Sequence, residues 1–219
     1  DHGRDCELGL RYEYTSSPEF RETCDGQDDV PQDWMIEDNR LEAIPVINDG
    51  DISGGIYDCS DWRRNFPEGF NGANILFVQD IGTEHFLIVS TQWAGMVEYP
   101  KGDNGPQTDE QAMVVTTWSK TLSGSEVFTG ATFGAVPGVN SSGQDSLVLS
   151  TSSGHITGWE VSDDGTVEEG LSMSLSETVR GVLLADCCSG GENDLWVIEG
   201  DSLRIFMGSS LVEMPRSLE

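Results

Sequence analysis

Basic residues are scarce in this sequence. Its 219 residues include 11 Lys and Arg against 39 Asp and Glu, a formal net charge of −28. Only two lysines occur, Lys101 and Lys120. A chain this acidic lacks the electrostatic footprint that holds a nucleic-acid backbone. Anionic lipid surfaces repel it for the same reason. Long apolar runs are missing too, so no segment reads as a membrane-spanning helix. No basic-then-apolar leader opens the sequence, so a signal peptide is expected to be absent or already removed. Familiar catalytic motifs do not occur: no Gly-x-Ser-x-Gly elbow, no phosphate loop, no His-Glu-x-x-His. The three histidines, His2, His85 and His155, stand apart from one another. His85 reads as a strand-end residue and His155 as a turn residue, rather than as general bases. Carboxylates are so abundant that no single pair points to glycosidase chemistry. The expectation is a protein that is not an enzyme.

What is present is apolar sequence in short clusters. Hydrophobic residues make up 37% of the chain, too much and too clustered for a disordered polymer. With 26 Gly and 8 Pro between short apolar runs, the pattern predicts strands and turns. The acidic surface reads first as a solvated one; it would also draw divalent cations or basic partners.

Cys6, Cys24, Cys59, Cys187 and Cys188 are the five cysteines. None forms a Cys-x-x-Cys pair, which argues against zinc. Cys6 and Cys24 flank a short acidic loop-like segment and form the candidate disulfide. That pairing suits an extracellular or luminal protein of the secretory pathway. Five thiols in a reducing cell are the alternative. An odd count leaves one thiol free or paired outside the chain.

Self-similarity organises the C-terminal two thirds. Three apolar runs recur: Phe86–Val89, Leu147–Leu149 and Leu195–Ile198. A Gly/Asp/Asn-rich turn precedes each. A second short strand with an aromatic end follows each, at Tyr99, Trp159 and Phe206. Aligning Leu87, Leu147 and Leu195 gives spacings of 60 and 48 residues. A leading strand and a trailing strand complete each unit. A middle strand that is apolar throughout is expected where a small sheet is covered on both faces. Four-stranded units of this size predict an all-β protein: a β-propeller, or a partial propeller, of four-stranded antiparallel blades. A β-sandwich is the competing fold. The units span residues 72–122, 123–177 and 178–219. Residues 1–71 form an acidic, Cys-containing segment with room for one irregular blade, its strands sought at Leu8–Tyr14, Val46-Ile47 and Gly54–Tyr57. Three blades do not close a ring. The chain is therefore either a compact propeller of four irregular blades or a part of a larger one.

The turns Gly138–Val148 and Asp186–Val197 share one frame, and Phe133-Gly134 stands before the first. This frame resembles the FG-GAP, or VCBS-type, repeat of integrin-like propellers. The resemblance covers residues 72–219. It implies a loop whose Asp and Asn oxygens bind calcium, a hard cation that takes six to eight oxygens. Carried onto this sequence, the loop acids are Asp186 and Asp194. Gly138, Ser142 and Ser146 stand where the other loop would have acids. An earlier partial version, Asn48, Asp49 and Asp51 with Asp58, is the better calcium candidate.

Two further features point to binding. Trp93 sits in a turn, Thr91–Gly95, where an exposed indole would anchor protein or glycan; a Trp folded over the hairpin end is the plainer alternative. Trp62, Arg63 and Arg64 contain the sole pair of adjacent basic residues, the composition of an interface. Asn140 opens a glycosylation sequon. Together these features predict a non-catalytic secreted or cell-surface module for protein or glycan binding. A structural subunit or fragment of a larger propeller assembly is the second reading. A propeller-fold glycan-acting enzyme is the third.

Overall fold

The computed structural model describes residues 14–15, 32–37, 39–45, 63–82, 85–98, 113–136, 145–162, 164–186, 193–207 and 212–213. These form four sheets in chain order, each four-stranded and antiparallel throughout. The first contains β1 (Tyr14–Thr15), β2 (Gln32–Glu37), β3 (Arg40–Pro45) and β4 (Arg63–Asn65). The second contains β5 (Ile75–Ile81), β6 (His85–Ser90), β7 (Trp93–Glu98) and β8 (Thr116–Thr121). The third contains β9 (Phe128–Gly134), β10 (Ser146–Thr151), β11 (His155–Val161) and β12 (Val167–Ser174). The fourth contains β13 (Val179–Ala185), β14 (Asp194–Glu199), β15 (Ser202–Met207) and β16 (Val212–Glu213). Each sheet is a simple meander, every strand beside its chain neighbour. This is the four-stranded blade of a β-propeller architecture.

Successive sheets stack face to face. The leading strands run alongside one another, β5 near β9 and β9 near β13. Between the first and second sheets lie Ile36, Leu41, Phe86, Ile88 and Val97. Between the second and third lie Leu87, Val89, Met96, Leu147 and Leu149. Between the third and fourth lie Val148, Ile156, Leu195, Val197 and Phe206. Strands β6 and β10 are buried at every position because both of their faces are covered. Their unbroken apolar runs follow from that geometry.

These clusters correct the register of the repeat. Leu147 and Leu195 both face the preceding sheet, and in the second sheet Phe86 and Ile88 do so; Leu87 faces the following one. Phe86, not Leu87, is therefore the counterpart of Leu147 and Leu195, and the leucine alignment slips by one residue in its first unit. Cross-strand pairing agrees: Phe86 opposes Val97, Leu147 opposes Trp159 and Leu195 opposes Phe206. Val97 takes the place assigned to Tyr99, which lies outside the described residues. The strands of the first sheet also differ from expectation. Its central hairpin is β2–β3, with Glu37 paired to Arg40 at its end. Residues 8–13, 46–47 and 54–57 lie outside the described residues.

Each connection between sheets is held by the hairpin that follows it. Before β5, the Asn71 N–H donates to Ser90 Oγ at 3.3 Å. Before β9, the Val127 N–H donates to Ser152 Oγ at 3.2 Å. Before β13, Glu199 Oε1 accepts from the Ser176 N–H at 2.9 Å, Ser176 Oγ at 3.1 Å and the Glu177 N–H at 3.1 Å. Backbone bonds tie the last two connections to the preceding hairpin as well: Leu122 N to Gln92 O and Phe128 N to Thr91 O, then Leu175 N to Gly154 O.

Candidate functional site

Trp93 is not a surface anchor. It is 1% exposed, opens β7 and packs edge-on against Phe66 and Phe70 at 5.9 and 5.7 Å between ring centroids. The apolar cluster between the first two sheets supplies a dry pocket that a hairpin-end indole fills. Gly95, two residues on and on the same face of the strand, leaves the space in which the ring lies. Arg64 is buried as well, which removes it from an exposed basic patch. Arg63 lies in β4 beside it, paired in register with Glu42. Trp62 falls outside the described residues.

Of the candidate calcium ligands, Asn48, Asp49, Asp51 and Asp58 lie outside the described residues, as do Asn140, Cys6 and Cys24. Asp186 is exposed just past β13, and Asp194 is wholly buried at the start of β14. Among the described residues no three His, Cys, Asp or Glu side chains gather as a metal site. His155 lies on β11 with Nδ1 2.8 Å from Ser174 Oγ. His85 is buried at the start of β6, beside Gly165.

Two features of the fourth sheet went unread in the sequence. The first is an ionic clamp. The Arg204 guanidinium donates from Nε and Nη2 to the two carboxylate oxygens of Glu213, at 2.8 and 2.6 Å. Its Nη1 donates to Glu199 Oε2 at 2.5 Å. Such bidentate, charge-assisted bonds are among the strongest a side chain makes. Arg204 holds the Glu199 carboxyl down to about 2, helped by the Glu177 N–H and Ser176. The two carboxylates raise Arg204 further above its ordinary value.

The second feature is an open apolar face. On β14, Leu195 and Val197 point into the third sheet, so Trp196 and Ile198 alternate to the other side. Across the strands Trp196 pairs with Leu183 and Ile205, and Ile198 pairs with Leu203. Leu183, Ile198 and Leu203 are 55%, 47% and 47% exposed. Trp196 is half-buried, its indole N–H donating to the Ala185 carbonyl at 3.2 Å. Trp196 flanks this open face. Trp159 does lie between sheets, 5.2 Å from Trp118 between ring centroids and with Lys120 Nζ over its ring. No charged side chain is exposed among the face-pointing positions Leu183, Trp196, Ile198, Leu203 and Ile205. At the hairpin end Arg180 pairs with Asp201 at 3.3 Å, a polar rim. The run Leu195–Ile198 is as apolar as those of β6 and β10, and Ile198 nonetheless stays exposed.

No family model matches the sequence, and no curated protein matches it. Solved structures do. A protein of unknown function from Bacteroides caccae is 12% identical, with a TM-score of 0.41 over 84% of this chain and 57% of its own. BBS1N, in complex with ARL6DN, is 10% identical, with a TM-score of 0.44 over 90% of this chain and 56% of its own. A chain of the Chaetomium thermophilum Polycomb Repressive Complex 2 is 12% identical, with a TM-score of 0.38 over 61% of this chain and 26% of its own. The chain thus spans little more than half the length of the first two, and about a quarter of the third.

Proposed function

We propose that the chain is a non-catalytic β-propeller module of FG-GAP or VCBS type that binds protein in a secreted or cell-surface setting. One observation carries the reading: among the described residues, the fourth sheet turns an apolar face with no exposed charge to solvent in a chain of net charge −28. Contiguous apolar surface on an otherwise polar protein marks an interaction site. Leucine and isoleucine without hydrogen-bonding neighbours favour a protein surface over a sugar. The cysteines and the sequon at Asn140 support the oxidising compartment.

A photo-crosslinking residue at Ile198 tests this, with Glu168 as the exposed control. Protein adducts from position 198 alone are expected. Equal labelling from both positions, or none from 198, would sink the reading. Intact mass before and after reduction tests the compartment: a mass that reduction leaves unchanged removes the disulfide and the secreted setting with it.

A second reading, a piece of a larger propeller assembly, is favoured by a specific equivalence. The side of the second and third sheets that corresponds to this open face is covered by the following sheet.

A further inference from the structure

The open face of the fourth sheet contains a glycine that nothing in its own sheet demands. We propose that Gly181 receives the backbone of a further leading strand, and that the face is covered by a fifth sheet of the same propeller, stacked on the fourth as the fourth is stacked on the third. The inference rests on the second reading above and names the contact that recognises the partner.

Register identifies the counterparts. In the third sheet Ser150 pairs with Gly130 on β9 and with Ile156 on β11. In the fourth, Ile198 pairs with Gly181 on β13 and with Leu203 on β15. The row in the third sheet is covered. Ser150 and Ile156 are wholly buried, and a Cβ on Gly130 would stand 3.0 Å from both the Cα of Gly181 and the nitrogen of Val182. The row in the fourth sheet is open. Ile198 and Leu203 are exposed, and among the described residues a Cβ on Gly181 would meet nothing within 4 Å.

Glycine inside a strand weakens it, and it marks a left-handed turn of the backbone, a bulge, or the close approach of another chain segment. The first cause is absent: Gly181 is not among the glycines with positive φ. The second is insufficient. Each leading strand carries one extra residue at the same place, Leu76, Thr129 and Arg180, and the residues that follow are Phe77, Gly130 and Gly181. Phe77 shows that this bulge takes a large side chain. Close approach remains, and it is the role Gly130 fills one sheet earlier. That role selects the occupant. It is an extended backbone beside β13, rather than a surface of side chains. A sheet stacked in the same way brings such a strand to Gly181. It also lays its apolar second strand over Ile198 and Leu203, as Leu195 and Val197 lie against Val148 and Ile156.

The test compares the chain itself with one in which residues 178–219 are repeated once after Glu219, which supplies a fifth sheet with its own leading strand. Leu203→Cys is alkylated in both chains and the labelled site is read by mass. Labelling at 203 should slow by roughly tenfold or more in the extended chain, because thiol reactivity follows exposure. Ile198→Cys is the second position, should the first disturb the fold. Gly181→Ala should leave the urea midpoint of the chain itself unchanged or raised, and should lower that of the extended chain. Protection at 203 and 198 with Gly181→Ala tolerated equally in both chains overturns the joint and leaves the larger-propeller reading standing. Labelling that is equally fast in both chains at both positions overturns both. Light scattering on the unextended chain is the third arm: a dimer in which position 203 is already protected gives the face to a second copy and overturns the proposal as well.

Discussion

The Cα of Gly181 in β13 lies 3.0 Å from where a Cβ on Gly130 in β9 would stand. The Val182 nitrogen is equally close, and Ser150 Oγ is at 3.2 Å. Here the leading strands of the third and fourth sheets meet backbone to backbone, helped by the Leu184 N–H donating to Thr132 Oγ1 at 3.3 Å. The relation is one-sided. A Cβ on Gly181 would meet nothing within 4 Å. Gly130→Ala should therefore destabilise the protein by ~1–3 kcal/mol through overpacking against rigid backbone. Gly181→Ala should be neutral or stabilising by up to ~1 kcal/mol through the unfolded chain. Urea titration of the two variants checks the contrast. Equal effects would mean that the strands are not in contact.

Gly95 and Trp93 make a similar pair within one strand. Any Cβ on Gly95 collides with the six-membered ring of Trp93. Gly95→Ala should expel the indole from its place against Phe66 and Phe70, red-shifting tryptophan emission and lowering stability by ~2–4 kcal/mol. Trp93→Ala should cost ~3–5 kcal/mol, as expected for a large buried aromatic. A Gly95→Ala variant with native emission and stability would contradict the packing described for β7.

The clamp predicts an acid-sensitive component of stability. The Glu199 carboxyl ionises at about 2 in the folded chain, against an ordinary value of 4.5. The unfolded chain therefore takes up this proton first. The contribution is fully present above 4.5 and is lost as pH falls from there through about 2. Glu199→Gln should remove it, so wild type and variant should converge in stability as acid is added over that range. Parallel pH–stability curves would show that Arg204 does not hold Glu199 in solution.

Ser90 offers a smaller, local test. Its buried hydroxyl accepts from the Asn71 N–H and donates to the Trp93 carbonyl at 3.2 Å. Ser90→Ala leaves both groups short of a partner and should cost ~1–3 kcal/mol. Amide exchange at Asn71 should accelerate in the variant; an unchanged rate would place that amide's protection elsewhere.

The all-β class and the four-stranded blades were legible in the sequence. Strands such as Leu147–Leu149 are apolar on both sides and separated by turn residues, and the fold buries both of those sides. The same property concealed their register. A strand that alternates reveals which residue faces which way; one that is apolar throughout does not, so Leu87 was aligned where Phe86 belongs. Trp93 misled for a related reason. Its position in a turn suggested exposure, but the pocket that receives it is made by Phe66 and Phe70, more than twenty residues upstream. The clamp was hidden because Arg204 and Glu213 meet only once β15 and β16 pair. The strand that bears the open face was visible as the third apolar run, Leu195–Ile198. What sequence could not supply was the fact that only one side of it is covered.

The connections between sheets carry a consequence for how this chain can be divided. The segment 122–128 is bonded to the hairpin behind it and the hairpin ahead, and 175–178 likewise. A cut at either boundary would strip amides or carbonyls from both neighbours at once. The pieces that come apart cleanly are consequently not the sheets: cutting or grafting should fail at the joints where one sheet hands the chain to the next.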